Sequence, residues 1–121
     1  MRALLLSLLL CLATAGALFA GDIAPEDAAK HVGEKVTVRG IVVEVYVSKG
    51  GNAYLNFGAA FPNQTFSADV LVKKTPQLLA DGAQWLKDLE GKDVAVTGTV
   101  ALYKGKPEIV LGAKEDVILS K

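Results

Sequence analysis

The stretch Lys35-Val36-Thr37-Val38-Arg39-Gly40-Ile41-Val42-Val43-Glu44-Val45-Tyr46-Val47 decides the fold. β-Branched residues dominate it, and its alternation marks a strand with one face on a core. Val36 and Val38 alternate with Thr37 and Arg39. Beyond Gly40, Ile41, Val43, Val45 and Val47 alternate with Val42, Glu44 and Tyr46, so the apolar phase passes from even to odd positions. A strand that keeps one face on a core changes phase only where it bends or bulges, and glycine permits this. The reading is one long strand, bent at Gly40, able to serve both sides of a small closed barrel.

Working outward, Ser48-Lys49-Gly50-Gly51-Asn52 is a turn cluster and Ala53–Phe57 a second strand, with Leu55 and Phe57 inward and Tyr54 and Asn56 outward. Gly58–Thr65 reads as a loop. Phe66–Val72 is a third strand, with Phe66, Ala68, Val70 and Val72 on one face and Ser67, Asp69 and Leu71 on the other. From Thr75 to Leu89 the period becomes helical: Leu78, Leu79, Trp85, Leu86 and Leu89 share a side, Gly82 weakens the first half and Gly91 ends it. Val94, Val96, Val100 and Leu102 line one face of a fourth strand, with Gly98 in phase. Lys104-Gly105-Lys106 is a tight connection, Glu108–Leu111 a fifth strand and Asp116–Leu119 a short extended piece. Upstream, residues 25–32 predict a short helix with proline and acids early and Lys30 and His31 late, which suits the helix dipole.

The fold class this implies is all-β with one or two helices. Its form is a five-stranded OB-type Greek-key barrel with a helix between strands 3 and 4. A small open β-sandwich is the alternative.

Residues 1–20 carry a different signature. Met1-Arg2 gives a basic start, Ala3–Leu12 is apolar apart from Ser7, and small residues follow from Ala13 to Ala17. This is the pattern of a secretory signal peptide, too short to span a bilayer. Cleavage fits after Ala20, where the polar chain begins, or after Ala17. Residues 21–121 would then be a single domain, periplasmic or secreted and monomeric. The one cysteine, Cys11, leaves with the leader. Loss of Arg2 from 13 basic residues leaves 12 against 13 acidic ones, and Arg39 is the sole remaining arginine. That balance argues against a strongly electrostatic or sequence-reading nucleic-acid binder.

Catalytic constellations are missing from the sequence. With a single histidine, His31, and no cysteine after cleavage, no zinc site of the usual composition forms, nor a Cys–His pair. There is no phosphate-binding Gly-x-x-x-x-Gly-Lys-Ser/Thr loop. The acid pairs Glu26/Asp27 and Glu115/Asp116 read as solvated, while Glu44 and Asp69 can be neighbours on the outward face. The expectation is a non-enzymatic binding module without cofactor or metal.

On that outward face, Tyr46 and Tyr54 can stack on bases, beside Asn56 and Ser67. Lys49, Lys73, Lys104 and Lys106 lie in or next to loops where they can meet phosphates. Glu44 and Asp69 share the face and would repel them.

The runs Tyr54-Leu55-Asn56-Phe57-Gly58, Phe61–Ala68, Gly91–Gly98 and Tyr103-Lys104-Gly105-Lys106-Pro107-Glu108-Ile109 resemble a pattern in OB-fold, nucleic-acid-binding-type domains of exported bacterial proteins, some attached to secreted nucleases. The likeness covers roughly residues 33–119 and adds Tyr103 to the candidate site. It implies weak, non-sequence-specific binding of single-stranded nucleic acid. The alternative is a periplasmic module for an envelope protein or an oligosaccharide. An acidic groove around Tyr54 would favour that alternative, a positive one nucleic acid.

Overall fold

The computed structural model describes residues 22–120; the leader segment read in residues 1–20 lies outside them. Strand β1 is Lys35–Val47, β2 Ala53–Phe57, β3 Phe66–Val70, β4 Asp93–Tyr103, β5 Lys106–Val110 and β6 Val117–Leu119. The sheet runs β1-β2-β3-β5-β4-β6, and a further pairing of β1 with β4 closes it. All pairings between these strands are antiparallel except β3–β5. Five strands closed in this order, with β3 and β5 parallel, form an OB-type barrel. The sixth, β6, extends it by pairing with β4 through Val94–Val96.

One long strand serves both halves of the wall, as the β1 sequence requires. Lys35–Ile41 pair with β4 and Val42–Val47 with β2. The change of phase, however, falls later than Gly40. Val38 and Val42 are fully buried, whereas Ile41 and Val43 are exposed. The register slips between Val42 and Glu44, so Val43 is a bulge residue and Val45 then turns toward the core. Gly40 answers a different need. A Cβ there would lie 2.8 Å from Pro25 Cγ and 3.4 Å from the Phe57 ring. The glycine lets the N-terminal segment press against the barrel wall.

Inward residues of every strand fill the interior, among them Leu55, Phe57, Phe66, Val70, Val94, Val96, Val100 and Ile109. The Phe57 and Phe66 rings meet at 5.3 Å and 50°. Gly98 leaves room for the Ile109 Cγ2 methyl, which would collide with any Cβ at that position. Leu102, expected on the same inward face, is instead exposed, because β4 has by then left the closed wall and runs into the β4–β5 hairpin.

The short N-terminal helix forms over Pro25–His31 as a 3₁₀ helix and buries Ala28 against the barrel. Strand β3 ends at Val70, two residues earlier than the alternation implied; a turn over residues 72–74 follows. The helix expected over Thr75–Leu89 is broken. Pro76–Leu79 forms a 3₁₀ turn and Gln84–Lys87 one turn of α-helix, α1. Between them Gly82 and Ala83 both take left-handed backbone angles, φ 76° and 66°, which end the first turn. The apolar side survives the break: Leu86 is fully buried, and the Trp85 ring N–H donates to the Leu78 carbonyl at 2.7 Å.

Candidate ligand-binding site

A cavity of about 400 Å³ opens on the outer side of β1–β3, between the Gly58–Thr65 loop and the β4–β5 hairpin. Its position follows from period-2 alternation: Tyr46, Tyr54, Asn56, Ser67, Asp69 and Glu108 all leave their strands away from the core. Three register pairs bring them together, Tyr46 opposite Tyr54, Tyr54 opposite Asp69 and Ser67 opposite Glu108.

The loop forms one wall and is fastened by side chains. Glu44 Oε1 accepts from Asn56 Nδ2 at 2.9 Å and from the Phe61 backbone N–H at 3.0 Å. Lys106 Nζ donates to the Pro62 carbonyl at 2.8 Å and the Gln64 carbonyl at 3.1 Å. Phe61 is thereby laid against Tyr46, ring centroids 5.5 Å apart and planes 6° from parallel. Tyr46 in turn lies 6.0 Å from Tyr54. Phe61 is 56% exposed, a large ring offered to solvent at the rim. The hairpin supplies the other wall. Tyr103 is 61% exposed, and Lys104 Nζ sits 5.3 Å from its ring centre. Lys104 adopts φ 52° at the hairpin tip, with Gly105.

The turn between β1 and β2 is fixed by its own polar groups. Asn52 Oδ1 accepts from the Val72 N–H at 2.8 Å, and Ser48 Oγ from the Asn52 N–H at 3.2 Å.

The floor is acidic, with Asp69 buried and Glu108 half-buried. Asp69 is 2% exposed. Ser67 Oγ donates to its Oδ1 at 2.6 Å, and its carboxyl also hydrogen-bonds that of Glu108. Burial, then the Glu108 hydrogen bond and charge, push the Asp69 carboxyl up to about 8, against the weaker opposing pull of Ser67. At neutral pH the Asp69 carboxyl is therefore held in its protonated form beside Glu108.

Of the residues singled out in the sequence, Tyr46, Tyr54, Asn56, Ser67, Tyr103, Lys104 and Lys106 line this one cavity. Lys49 and Lys73 are exposed outside it. Three assignments change. Asn56 and Ser67 are buried beneath the loop and hairpin rather than displayed on an open face. Lys106 is committed to the loop carbonyls. The carboxyl neighbour of Asp69 is Glu108, while Glu44 faces Asn56 and the loop. Phe61, Gln64 and Glu108 were not singled out. Glu108 was legible in principle, since it alternates with the inward Pro107 and Ile109.

Other titratable groups settle elsewhere. His31 pairs with Glu34 at 2.9 Å on the surface, Asp27 with Lys30 at 3.3 Å, and Asp116 caps the Gly112 and Ala113 N–H groups. Among the described residues no group of three or more His, Cys, Asp or Glu side chains is placed to hold a metal ion, and no helix is long and apolar enough to cross a membrane.

No family model matches the chain, and no curated protein matches it. Solved structures do. OBody AM1L10, bound to hen egg-white lysozyme, superposes with a TM-score of 0.53 at 21% identity, over 75% of this chain and 83% of that one. OBody AM2EP06, also bound to lysozyme, gives 0.52 at 17%, over 74% and 82%. A chain assigned as an aspartyl-tRNA synthetase from Leishmania major Friedlin gives 0.54 at 13%, over 82% of this chain but 20% of its own length. Likeness at these identities speaks for the architecture alone: the chain folds as an OB-type barrel.

Proposed function

We propose that the chain is an exported, non-catalytic OB-fold binding module that receives part of a protein or oligosaccharide partner in the groove between the Gly58–Thr65 loop and the β4–β5 hairpin. The observation that carries this reading is the groove itself: exposed rings of Phe61 and Tyr103 at the rim above an acidic floor of buried Asp69 and half-buried Glu108. Aromatic walls with a few convergent polar groups characterise ligand sites. An acid floor disfavours phosphate, and Lys106, the lysine best placed for it, already serves the loop. The OBodies, which share the fold, are bound to a protein, lysozyme. The leader pattern read in residues 1–20 supports a partner met in the periplasm or outside the cell.

The experiment is a panel of glycans and peptides screened against the wild-type chain and Phe61→Ala. Binding that falls at least tenfold in the variant supports the groove; binding indifferent to Phe61 overturns it. Single-stranded nucleic acid remains a second reading because of the Tyr46–Phe61 stack and the Lys104 ammonium over Tyr103. Titration of labelled single-stranded DNA at low salt decides it. Salt-dependent binding below tens of micromolar favours this reading, and absence of such binding removes it.

A further inference from the structure

The cavity's polar atoms are unevenly matched. At the floor and the loop wall the donors are engaged: Ser67 gives its proton to Asp69, Asn56 Nδ2 donates to Glu44, and Lys106 Nζ serves two loop carbonyls, leaving the tyrosine hydroxyls and Lys104 at the rim as the uncommitted ones. Acceptors are in surplus: two carboxyls meet at the floor, and Gln64, also in the lining, has a buried Oε1 with no partner. A buried acceptor without a donor is costly. A ligand that satisfies this site must bring donors and few acceptors. Ammonium and guanidinium groups do so, with three and five N–H donors and no acceptor. The walls agree, since aromatic faces attract cations and repel anions. Two carboxylates are too few for a calcium cage of six to eight oxygens.

We propose that this cavity seats a compact organic cation, an ammonium or guanidinium group, on Asp69 and Glu108, with the aromatic lining as its second contact. The proposal rests on the groove reading above and names the chemistry of what enters it. An arriving cation replaces the proton on Asp69: the proton leaves to solvent, and the cation's N–H groups donate to both carboxyls. Affinity therefore rises with pH up to the point where Asp69 is ionised without help. The other charged or titratable groups around the pair are Glu44 and Tyr46 from β1, Tyr54 from β2, Tyr103 and Lys104 from the hairpin, and Lys106 from β5; the loop contributes none. Lys106 and Lys104 are the like charges a ligand meets. The first is held by carbonyls and the second lies over Tyr103. A free cation and the tip of a basic side chain on a protein partner offer the same group.

Calorimetric titration of the full chain tests this with n-butylammonium, methylguanidinium and Nα-acetyl-arginine methylamide, and with n-butanol as the uncharged counterpart. The cations are expected to bind at least tenfold more tightly than n-butanol. Affinity should rise by up to about tenfold per pH unit between pH 6 and 8, with proton release seen as a dependence of the heat on the buffer. Asp69→Asn, or Glu108→Gln if the first variant loses its wild-type far-UV spectrum, should abolish the preference. Tighter binding of the arginine derivative than of methylguanidinium assigns the cation to a side chain; the reverse assigns it to a free small cation. Equal binding of n-butanol and n-butylammonium overturns the proposal, as does cation binding unchanged in Asp69→Asn. A glycan or peptide whose binding needs Phe61 but ignores Asp69 and Glu108 also overturns it while leaving the groove reading intact.

Discussion

Phe61 stacks on Tyr46 with their rings 5.5 Å apart and 6° from parallel, although one belongs to a loop and the other to the end of β1. Near-parallel rings at this separation gain about 0.5–1.5 kcal/mol beyond area burial. Phe61→Ala should thus cost about 1 kcal/mol in chemical denaturation and remove most partner binding. Phe61→Tyr should retain both. A variant that binds normally without the ring would show that the loop wall is not part of the site.

Lys106 is expected to act as a fastener. Lys106→Met keeps the stem but removes the two donations to Pro62 and Gln64. Stability should fall by about 1–2 kcal/mol, and amide exchange over residues 59–64 should accelerate while β4 stays protected. Any DNA affinity should be more sensitive to Lys104→Met than to this change, since Lys104 carries the less committed charge.

Stability should depend on pH through Asp69. Its carboxyl is raised from 3.8 to about 8 in the folded chain, by burial first and Glu108 second. Between those values the folded state holds more protons than the unfolded one, so stability declines as pH rises from about 4 to about 8. The thermal midpoint at pH 8.5 is expected to lie roughly 5–10 °C below that at pH 5, and Asp69→Asn should flatten the slope. A midpoint that climbs over this range would refute the raised Asp69 carboxyl.

Gly98 and Ile109 are expected to be coupled. Gly98→Ala forces a methyl against Ile109 Cγ2 and should cost about 1–3 kcal/mol, the usual penalty of overpacking. Ile109→Leu lacks that methyl, so the double variant should be less destabilised than the sum of the singles. A double-mutant cycle by urea denaturation measures this; strict additivity would deny the contact.

Local pattern in the sequence was enough for the barrel. Alternation in β2, in β1 as far as Val38 and in β4 as far as Val100 identifies their inward residues because each strand carries its own record of the core. The bulge at Val43 was misplaced to Gly40 because Ile41, Val42 and Val43 are all apolar, and only burial tells which of them faces in. Thr75–Leu89 has a continuous apolar side, yet the left-handed pair Gly82–Ala83 divides it, and alanine gives no warning of such an angle. The groove was half legible. Outward strand residues could be gathered by phase, but Asp69 meets Glu108 through the parallel β3–β5 pairing, a contact between segments far apart in the chain. Nothing near Phe61 or Gln64 announces that their loop folds back over the sheet.

Strand β4 is hydrogen-bonded to β1 on one side and β6 on the other at Val94–Val96, and then continues into the hairpin that bears Tyr103. The opposite wall hangs largely on the side chains of Glu44 and Lys106. On the proposed reading the groove is a vice with one jaw built of paired strands and one fastened by side chains. A bulkier guest would then be met by displacing the loop, while the hairpin would keep the geometry against which the guest is measured.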